Sequence, residues 1–460
     1  MSIFSKEQEQ RLLEMIRLGQ EMTSRDKFNL IVRLSIPSVL AQITSTLMFF
    51  IDAAMVGKLG AEASAAIGIV ETSTWLMFGL SAALAMGFSV QAAQFIGAND
   101  MKQAKNVYRQ GIICISLLSL VLMAICLAIS PFLPYWLGGN EDIASDASWY
   151  FGICAASLPL MMIGRLSSSM LKCSGNIRIP SIISILTCVN DVIFNYIFIY
   201  IFGLGVIGAA IGSGLAYAVA CCIETWYAAS RSKEIGLVGE KWNFRPEWHY
   251  IKNAAKISLP MAAQYVMIDG AQIVSTMIVA PLGTIAIAAN TLGITAESLC
   301  YMPGHGISEA ATTVVGQSIG AGRNKLCMSF ARISLAFGMI VMALMGVIMF
   351  FTAVPLMSLL TPVDEIIQLG AGCLRIEAFA EPFFAAAIVS NAILLGAGDT
   401  VKPAIISLCS MWFVRLTLAA ALAPQYGLYG VWIGMAIELT VRGIVFLLRV
   451  FKGNWMKKAI

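Results

Sequence analysis

The chain has 460 residues, of which 58% are hydrophobic and only 12% charged, with a formal net charge of +4. An ordinary soluble domain carries about 25% charged residues, so the composition excludes that class and points to a membrane protein. The small positive excess is concentrated in particular loops, which reads as membrane topology and not as nucleic-acid binding.

In chain order, residues 1–27 come first, charged and amphipathic. They lack the short apolar core and cleavage site of a signal peptide and are expected to form a cytoplasmic surface helix. Apolar stretches long enough to cross a hydrocarbon core of about 30 Å then follow one another. They lie near 28–57, 64–97, 107–136, 144–172, 178–202, 206–231, 251–281, 285–320, 326–360, 365–396, 402–423 and 427–451. Lys and Arg gather in alternate breaks: Arg25/Lys27/Arg33, Lys102/Lys105/Arg109, Lys172/Arg178, the 231–256 segment with Lys241, Arg323/Lys325, Lys402, and Arg449/Lys452/Lys457/Lys458. The other set of breaks holds Lys58 and the acids Glu141, Asp142, Asp146, Asp364 and Glu365. The basic set falls on one side every time, so both termini are expected in the cytoplasm of a cell whose inner (plasma) membrane holds the chain.

The two halves repeat. Pro37 in SIPSVLAQ matches Pro260 in SLPMAAQY, and Leu59-Gly60 matches Leu282-Gly283. Gln94 in QFIGAND matches Gln317 in QSIGAGR, Pro159 matches Pro382, Gly175 matches Gly398 and Pro180 matches Pro403, all at one step of 223 residues. Six spans per repeat preserve orientation. The expected fold is an all-α integral membrane protein with twelve transmembrane helices in two six-helix lobes. A pseudo-two-fold along the membrane normal relates the lobes, and a central cleft suits alternating access. The lobes are expected at 28–231 and 251–460, joined by a cytoplasmic linker at 232–250.

Ionisable residues inside spans are the first functional candidates, because an acid at a helix centre costs about 2.5–3.5 kcal/mol. With a rise of 1.5 Å per residue, Asp52 lies roughly 28 Å above Arg33, Asn195 roughly 26 Å and Asp191 roughly 20 Å above Arg178. Ser213 lies about 12 Å below the outer end of its descending helix. All four fall in the outer half of one lobe, and Asp191 and Asn195 share a helix face. The expectation is that Asp52 and Asp191 bind a proton or Na⁺ with Asn195 and Ser213 as neutral partners. Pro37 leaves a backbone carbonyl unpaired, so the first helix can bend as the cluster changes charge. The second lobe holds Asp269 and Arg415 at a shared depth of roughly 20 Å, where they could pair. Arg375, Glu377, Glu381 and Glu438 also fall within its spans, and Asp269, Glu377 and Arg415 are second-lobe candidates for an ion or a cationic substrate. The step of 223 carries Asp52 to Ser275, so the first-lobe cluster is not duplicated.

Other signals are weak. The eleven cysteines show no CxxC or His/Cys metal spacing, and Cys114, Cys126 and Cys188 sit in apolar runs where they pack as small hydrophobes. GLGVIG at 203–208 has no preceding strand, so it is no dinucleotide site. Gly208, Gly212 and Gly434 read as close-packing positions. His305 in MPGHG reads as a packing residue near a break. No HExxH, GxSxG or Walker A pattern occurs, which speaks against an enzyme or an ATP-driven pump. No cofactor or structural metal is expected.

Four segments carry a family resemblance: MPGHGISEAATTVVGQSIGAG (302–322), LLGAGDTVKP (394–403), LGVIGAAIGSGLA (204–216) and IPSVLAQITSTLMFFIDAAMVGKLG (36–60). Together they resemble the multidrug and toxic compound extrusion (MATE) family, closest to its prokaryotic DNA-damage-inducible-like branch. The resemblance implies twelve helices in two lobes and export of organic cations or other amphipathic compounds in exchange for protons or Na⁺. By motif, Asp52 and Pro37 match the branch's first-helix acid and kink proline. The family's fifth-helix Asn and Asp stand in exchanged order here, as Asp191 and Asn195, and Ser213 stands where a Thr is common. Some branches place their coupling carboxylates in the second lobe instead. The implied partners are a small-molecule substrate and the lipid bilayer, with the protein acting as a monomer. A lipid-linked-precursor flippase is the alternative; it calls for a strongly cationic cavity. A channel or scaffold differs in passing solute only downhill.

Overall fold

The computed structural model describes residues 6–137, 141–239 and 245–456, nearly all of them helical. Lys241, Lys457 and Lys458 of the basic set, and 240–244 of the linker, lie outside the described residues. Helix α1 (Lys6–Arg17) is amphipathic, with Leu13 and Ile16 buried on one face. Thr23 and Asp26 then open α2 (Ser24–Gly57) with a reciprocal cap: the Asp26 N–H donates to Thr23 Oγ1 at 3.2 Å and the Thr23 N–H to Asp26 Oδ2 at 3.1 Å.

The first repeat continues with α3 (Ala61–Gly97), α4 (Met101–Ile129), α5 (Leu133–Trp136), α6 (Glu141–Cys173), α7 (Arg178–Tyr196) and α8 (Gly205–Ser230). A π-helical turn at Ile197–Ile201 extends α7. The second repeat comprises α9 (Trp248–Val279), α10 (Thr284–Gly320), α11 (Asn324–Leu360), α12 (Asp364–Glu377), α13 (Glu381–Gly396), α14 (Val401–Cys409), α15 (Leu416–Tyr426) and α16 (Leu428–Lys452). A second π-helical turn, Ser410–Arg415, joins α14 to α15.

Eleven spans among the described residues are continuous helical stretches long and apolar enough to cross a membrane, α14 and α15 forming one of them through their π-helical turn. The twelfth is the pair α12 and α13, bent by 60° between Glu377 and Glu381. The expected unbroken span at 365–396 is thus a broken one, and Pro382 in the first turn of α13 accounts for it, since it has no N–H to continue the α12 ladder. The expected third span, 107–136, also ends early, at Ile129, because Pro131 and Pro134 interrupt it. The repeat is visible in the backbone: Gly175 and Gly398 both turn with positive φ (96° and 78°), as do Gly60 and Gly283 (119° and 99°).

Two compact units emerge. The first comprises Thr44–Ala262, the second Met1–Ile43 with Ala263–Ala459. Each repeat therefore contributes the first part of its opening helix, up to a few residues past Pro37 or Pro260, to the unit that holds the rest of the other repeat. Close packing within each unit uses small residues. A Cβ on Gly208 would lie 2.7 Å from the Phe198 carbonyl carbon, and one on Gly434 would lie 3.0 Å from the Ala419 nitrogen, as expected of close helix contacts. Large apolar side chains such as Phe351, Leu359 and Phe413 are more than 70% exposed, which is stable only where the solvent is lipid.

Candidate functional site

In the unit of Thr44–Ala262, α2, α7 and α8 bring the four expected residues together. The Asn195 amide donates from Nδ2 to Asp52 Oδ1 at 3.0 Å and to Asp191 Oδ2 at 3.1 Å. The Asp52 and Asp191 carboxyls lie in hydrogen-bonding contact with each other, and the Ser213 hydroxyl lies beside Asp191. Asp191 and Asn195 are fully buried, while Asp52 and Ser213 are half-buried. Gly212 makes this possible by letting α8 approach Asn195 so closely that a Cβ there would meet its backbone nitrogen at 2.8 Å. The π-helical turn begins two residues beyond Asn195; such turns often mark functional sites.

The cluster is not electrostatically closed. Asp191 Oδ1 and Asn195 Oδ1 are buried without a hydrogen-bond partner. Two carboxylates in contact inside a membrane repel unless a proton or a cation joins them. Around them runs an aromatic chain. Ring centroids of Phe49 and Trp75 are 5.0 Å apart, those of Trp75 and Phe78 6.0 Å, and those of Phe78 and Tyr217 6.0 Å. The Trp75 indole donates to Glu71 Oε1 at 3.3 Å, and Tyr150 and Tyr217 lie within electrostatic reach of Asp52.

The other unit holds a second charged cluster. Glu377 and Glu381, at the bend between α12 and α13, are fully buried, and all four of their carboxyl oxygens lack hydrogen-bond partners. Glu297 of α10 faces both, and Arg415 faces Glu297 and Glu377. Glu438 accepts from Ser410 Oγ at 2.6 Å and pairs with Arg442 at 3.1 Å. The expected pair of Asp269 with Arg415 does not form. Equal depth did not mean a shared face: α9 meets the π-helical turn through Trp412, whose indole donates to the Met267 carbonyl at 3.1 Å, and through Ala271 packed with Met411. Asp269 is left half-buried. Arg375 likewise turns away from the acids, donating to the Phe350 carbonyl at 3.4 Å and stacking on the Phe350 ring.

Sequence reasoning passed over Glu297, Glu309, Glu224 and Arg165, all inside spans. Glu309, in the quoted 302–322 motif, accepts from Ser38 Oγ and, at 3.2 Å, from Gln42 Nε2, both on α2 beside Pro37. A spacing signal existed: Glu297, Tyr301, His305 and Glu309 recur every fourth residue, which makes each the neighbour of the next along the helix surface.

The profile described as MatE matches this chain twice, over residues 37–197 and 260–420, at the same 223-residue step as the repeat. The chain is 27% identical over 436 residues to a probable multidrug resistance protein NorM of Thermotoga maritima, covering 94% of this chain and 93% of that one. It is 26% identical over 443 residues to the multidrug resistance protein MdtK of Yersinia pestis, covering 93% and 95%. Among solved structures, a MOP superfamily transporter from Pyrococcus furiosus superposes with a TM-score of 0.90 at 21% identity, covering 99% of this chain and 100% of that one. An outward-facing multidrug resistance MATE transporter gives the same score, identity and coverage. The structural likeness establishes the fold, and the doubled profile match, across both repeats, establishes the lineage: this chain belongs to the MatE family of multi-span membrane transporters.

Proposed function

We propose that the protein is a secondary active exporter that exchanges small organic cations or amphipathic compounds for protons or Na⁺ by alternating access, from an inner membrane with both termini in the cytoplasm and as a monomer. The observation that carries this reading is the buried Asp52–Asn195–Asp191 cluster with its orphaned oxygens. With one proton or Na⁺ shared between its two carboxyls such a cluster carries a single negative charge, and when that ion leaves the charge doubles and attracts a cation. Asp52 and Asp191 are the ion-binding acids, and Asn195 and Ser213 their neutral partners. The aromatic chain from Phe49 to Tyr217 supports a cationic or amphipathic substrate, because ring faces attract organic cations. Pro37 supplies the hinge at which the first helix bends.

The relatives named as multidrug resistance proteins support export as the direction. A membrane potential supplies ~2.3 kcal/mol per charge per 100 mV, so one coupled ion drives accumulation of tens-fold. A flippase is disfavoured because the arginines of the second cluster are outnumbered by acids: Arg442 pairs with Glu438, Arg415 lies in the field of Glu297 and Glu377, and Arg375 stacks on Phe350. A second reading, with coupling at Glu377 and Glu381 in place of Asp52, draws on their unpartnered oxygens.

The test is ethidium efflux from energised cells under separate proton and sodium gradients. Wild type should empty cells against a gradient, and Asp52→Asn and Asp191→Asn should each slow efflux at least tenfold. Normal efflux by both variants would reject the first-unit assignment and move coupling to Glu377 and Glu381. Gradient-independent efflux would reject antiport.

A further inference from the structure

One titratable set has no part in that reading. On α10, Glu297, Tyr301, His305 and Glu309 follow at four-residue intervals, which makes each a neighbour of the next along a slowly winding stripe, with a rise of about 6 Å and a turn of about 40° per step and about 18 Å in all. The upper end is the buried second-unit cluster, where Glu297 faces Glu377, Glu381 and Arg415, and Glu377 in turn faces Glu438. Arg442 of α16 faces Glu377, Glu438 and Arg415. In the middle, the Tyr301 and His305 rings meet edge to face at 5.8 Å, and Phe384 of α13 covers Tyr301 at 5.4 Å. His305 faces Glu309 electrostatically. At the lower end Glu309 accepts from Ser38 and Gln42 of α2.

The surroundings suit conduction of a small species only. A Cβ on Gly306 would lie 2.6 Å from the Val39 backbone, and one on Gly304 would collide with the Met342 sulfur. The helix is thus pressed between α2 and α11 where the ladder passes. The first repeat carries Thr74, Phe78, Ala82 and Met86 at the matching positions, one step of 223 earlier, so the ladder is not a by-product of helix packing common to both halves.

We propose that Glu297, Tyr301, His305 and Glu309 form a proton relay along α10 from the buried second-unit carboxylates to the Glu309 carboxyl beside Ser38 and Gln42, toward the Gly320 end of the helix. The proposal rests on the antiport reading with protons as the coupling ion. In the release direction Glu297 gives up its proton. Tyr301 accepts one on its phenolic oxygen as it passes its own onward. His305 takes a proton on one ring nitrogen and releases one from the other. The Glu309 carboxylate receives it and delivers it to the cytoplasmic side. Tyr301 and Glu309 end with the protons they began with, the His305 ring turns over to restore its tautomer, and Glu297, left as a carboxylate, is reloaded from the buried acids beside it; water bridges the steps that side chains cannot span.

The experiment uses purified full-length protein in liposomes, with a pH-sensitive dye inside and ethidium as substrate. Glu309→Gln keeps the acceptor for Ser38 and Gln42 but cannot carry the proton, and it should lower ethidium-coupled proton flux at least tenfold while ethidium binding changes less than twofold. His305→Ala should fall similarly, and added imidazole should restore flux in proportion to its concentration, which a purely structural histidine would not allow. Wild-type flux in both variants overturns the relay, as does a loss that imidazole leaves unchanged in a His305→Ala protein that still binds ethidium. If the wild type moves ethidium on a sodium gradient with no proton movement, the relay is overturned while antiport stands. If it moves ethidium only downhill, with no ion movement, both fall.

Discussion

Gly212 measures how little room surrounds the acid pair. Any side chain there drives α8 off Asn195, whose amide joins the two carboxyls. Gly212→Val should therefore destabilise the protein by about 1–3 kcal/mol and abolish gradient-driven efflux. Gly214→Ala, whose added methyl would meet Ser157 at an ordinary 3.6 Å, should leave both unchanged. Thermal unfolding in detergent and ethidium efflux check the pair. Asp52, Asp191 and Asn195 were legible in the sequence because depth along a helix follows from counting residues, and acids at matching depth in one lobe are few. The same counting misjudged Asp269 and Arg415, because height says nothing of which face a side chain occupies. Glu297 and Glu309 went unnoticed for another reason. They lie in a polar, Gly- and Thr-rich helix that reads as motif, and their fourfold spacing carries meaning only once α2 is seen beside it.

At the level of elements, one residue ties the end of α1 to the start of α11. Arg323 donates to the carbonyls of Met15 at 2.9 Å, Ile16 at 3.4 Å and Gln20 at 2.7 Å, satisfying orphan acceptors at the end of that helix. Its counterpart in the first repeat, Asp100, caps its own helix by accepting from the Gln103 N–H at 3.1 Å. Two loops that match in sequence thus do different work through one reversed charge. Arg323→Ala should loosen α1, seen as faster limited proteolysis before Ser24, while the Asp52 cluster and ethidium binding stay as in wild type. Helix existence was legible here because long apolar runs between basic loops allow few other structures in a bilayer. The π-helical turns and the 60° bend at Glu377–Glu381 were not. Hydropathy is blind to a single extra residue in a helical turn, and a proline can sit in a span with or without breaking it: Pro159 lies inside an unbroken α6, whereas its match Pro382 opens a new helix.

At the level of the whole molecule, the 223-residue repeat was the most legible feature, since six anchors in one register need no structure to interpret, and the doubled profile match follows it. The distribution of opening helices between the units was not legible, because sequence order alone does not say where a helix finds its neighbours. The orientation drawn from the basic loops makes a direct prediction. Alkaline phosphatase fused after Lys58 should be active, and fused after Arg231 inactive; the reverse pattern would invert the topology.

The sharing of the opening helices also bears on how the chain is made. The unit containing Met1–Ile43 cannot begin to close until residues from Ala263 onward exist. At roughly 5–20 residues per second, the first segment waits about 10–40 s for its partners. During that interval Ser38, Gln42 and the buried face of α1 must be sheltered by the insertion machinery or by lipid. Nascent chains stalled before Ala263 are therefore the form of this protein most exposed to quality-control proteolysis.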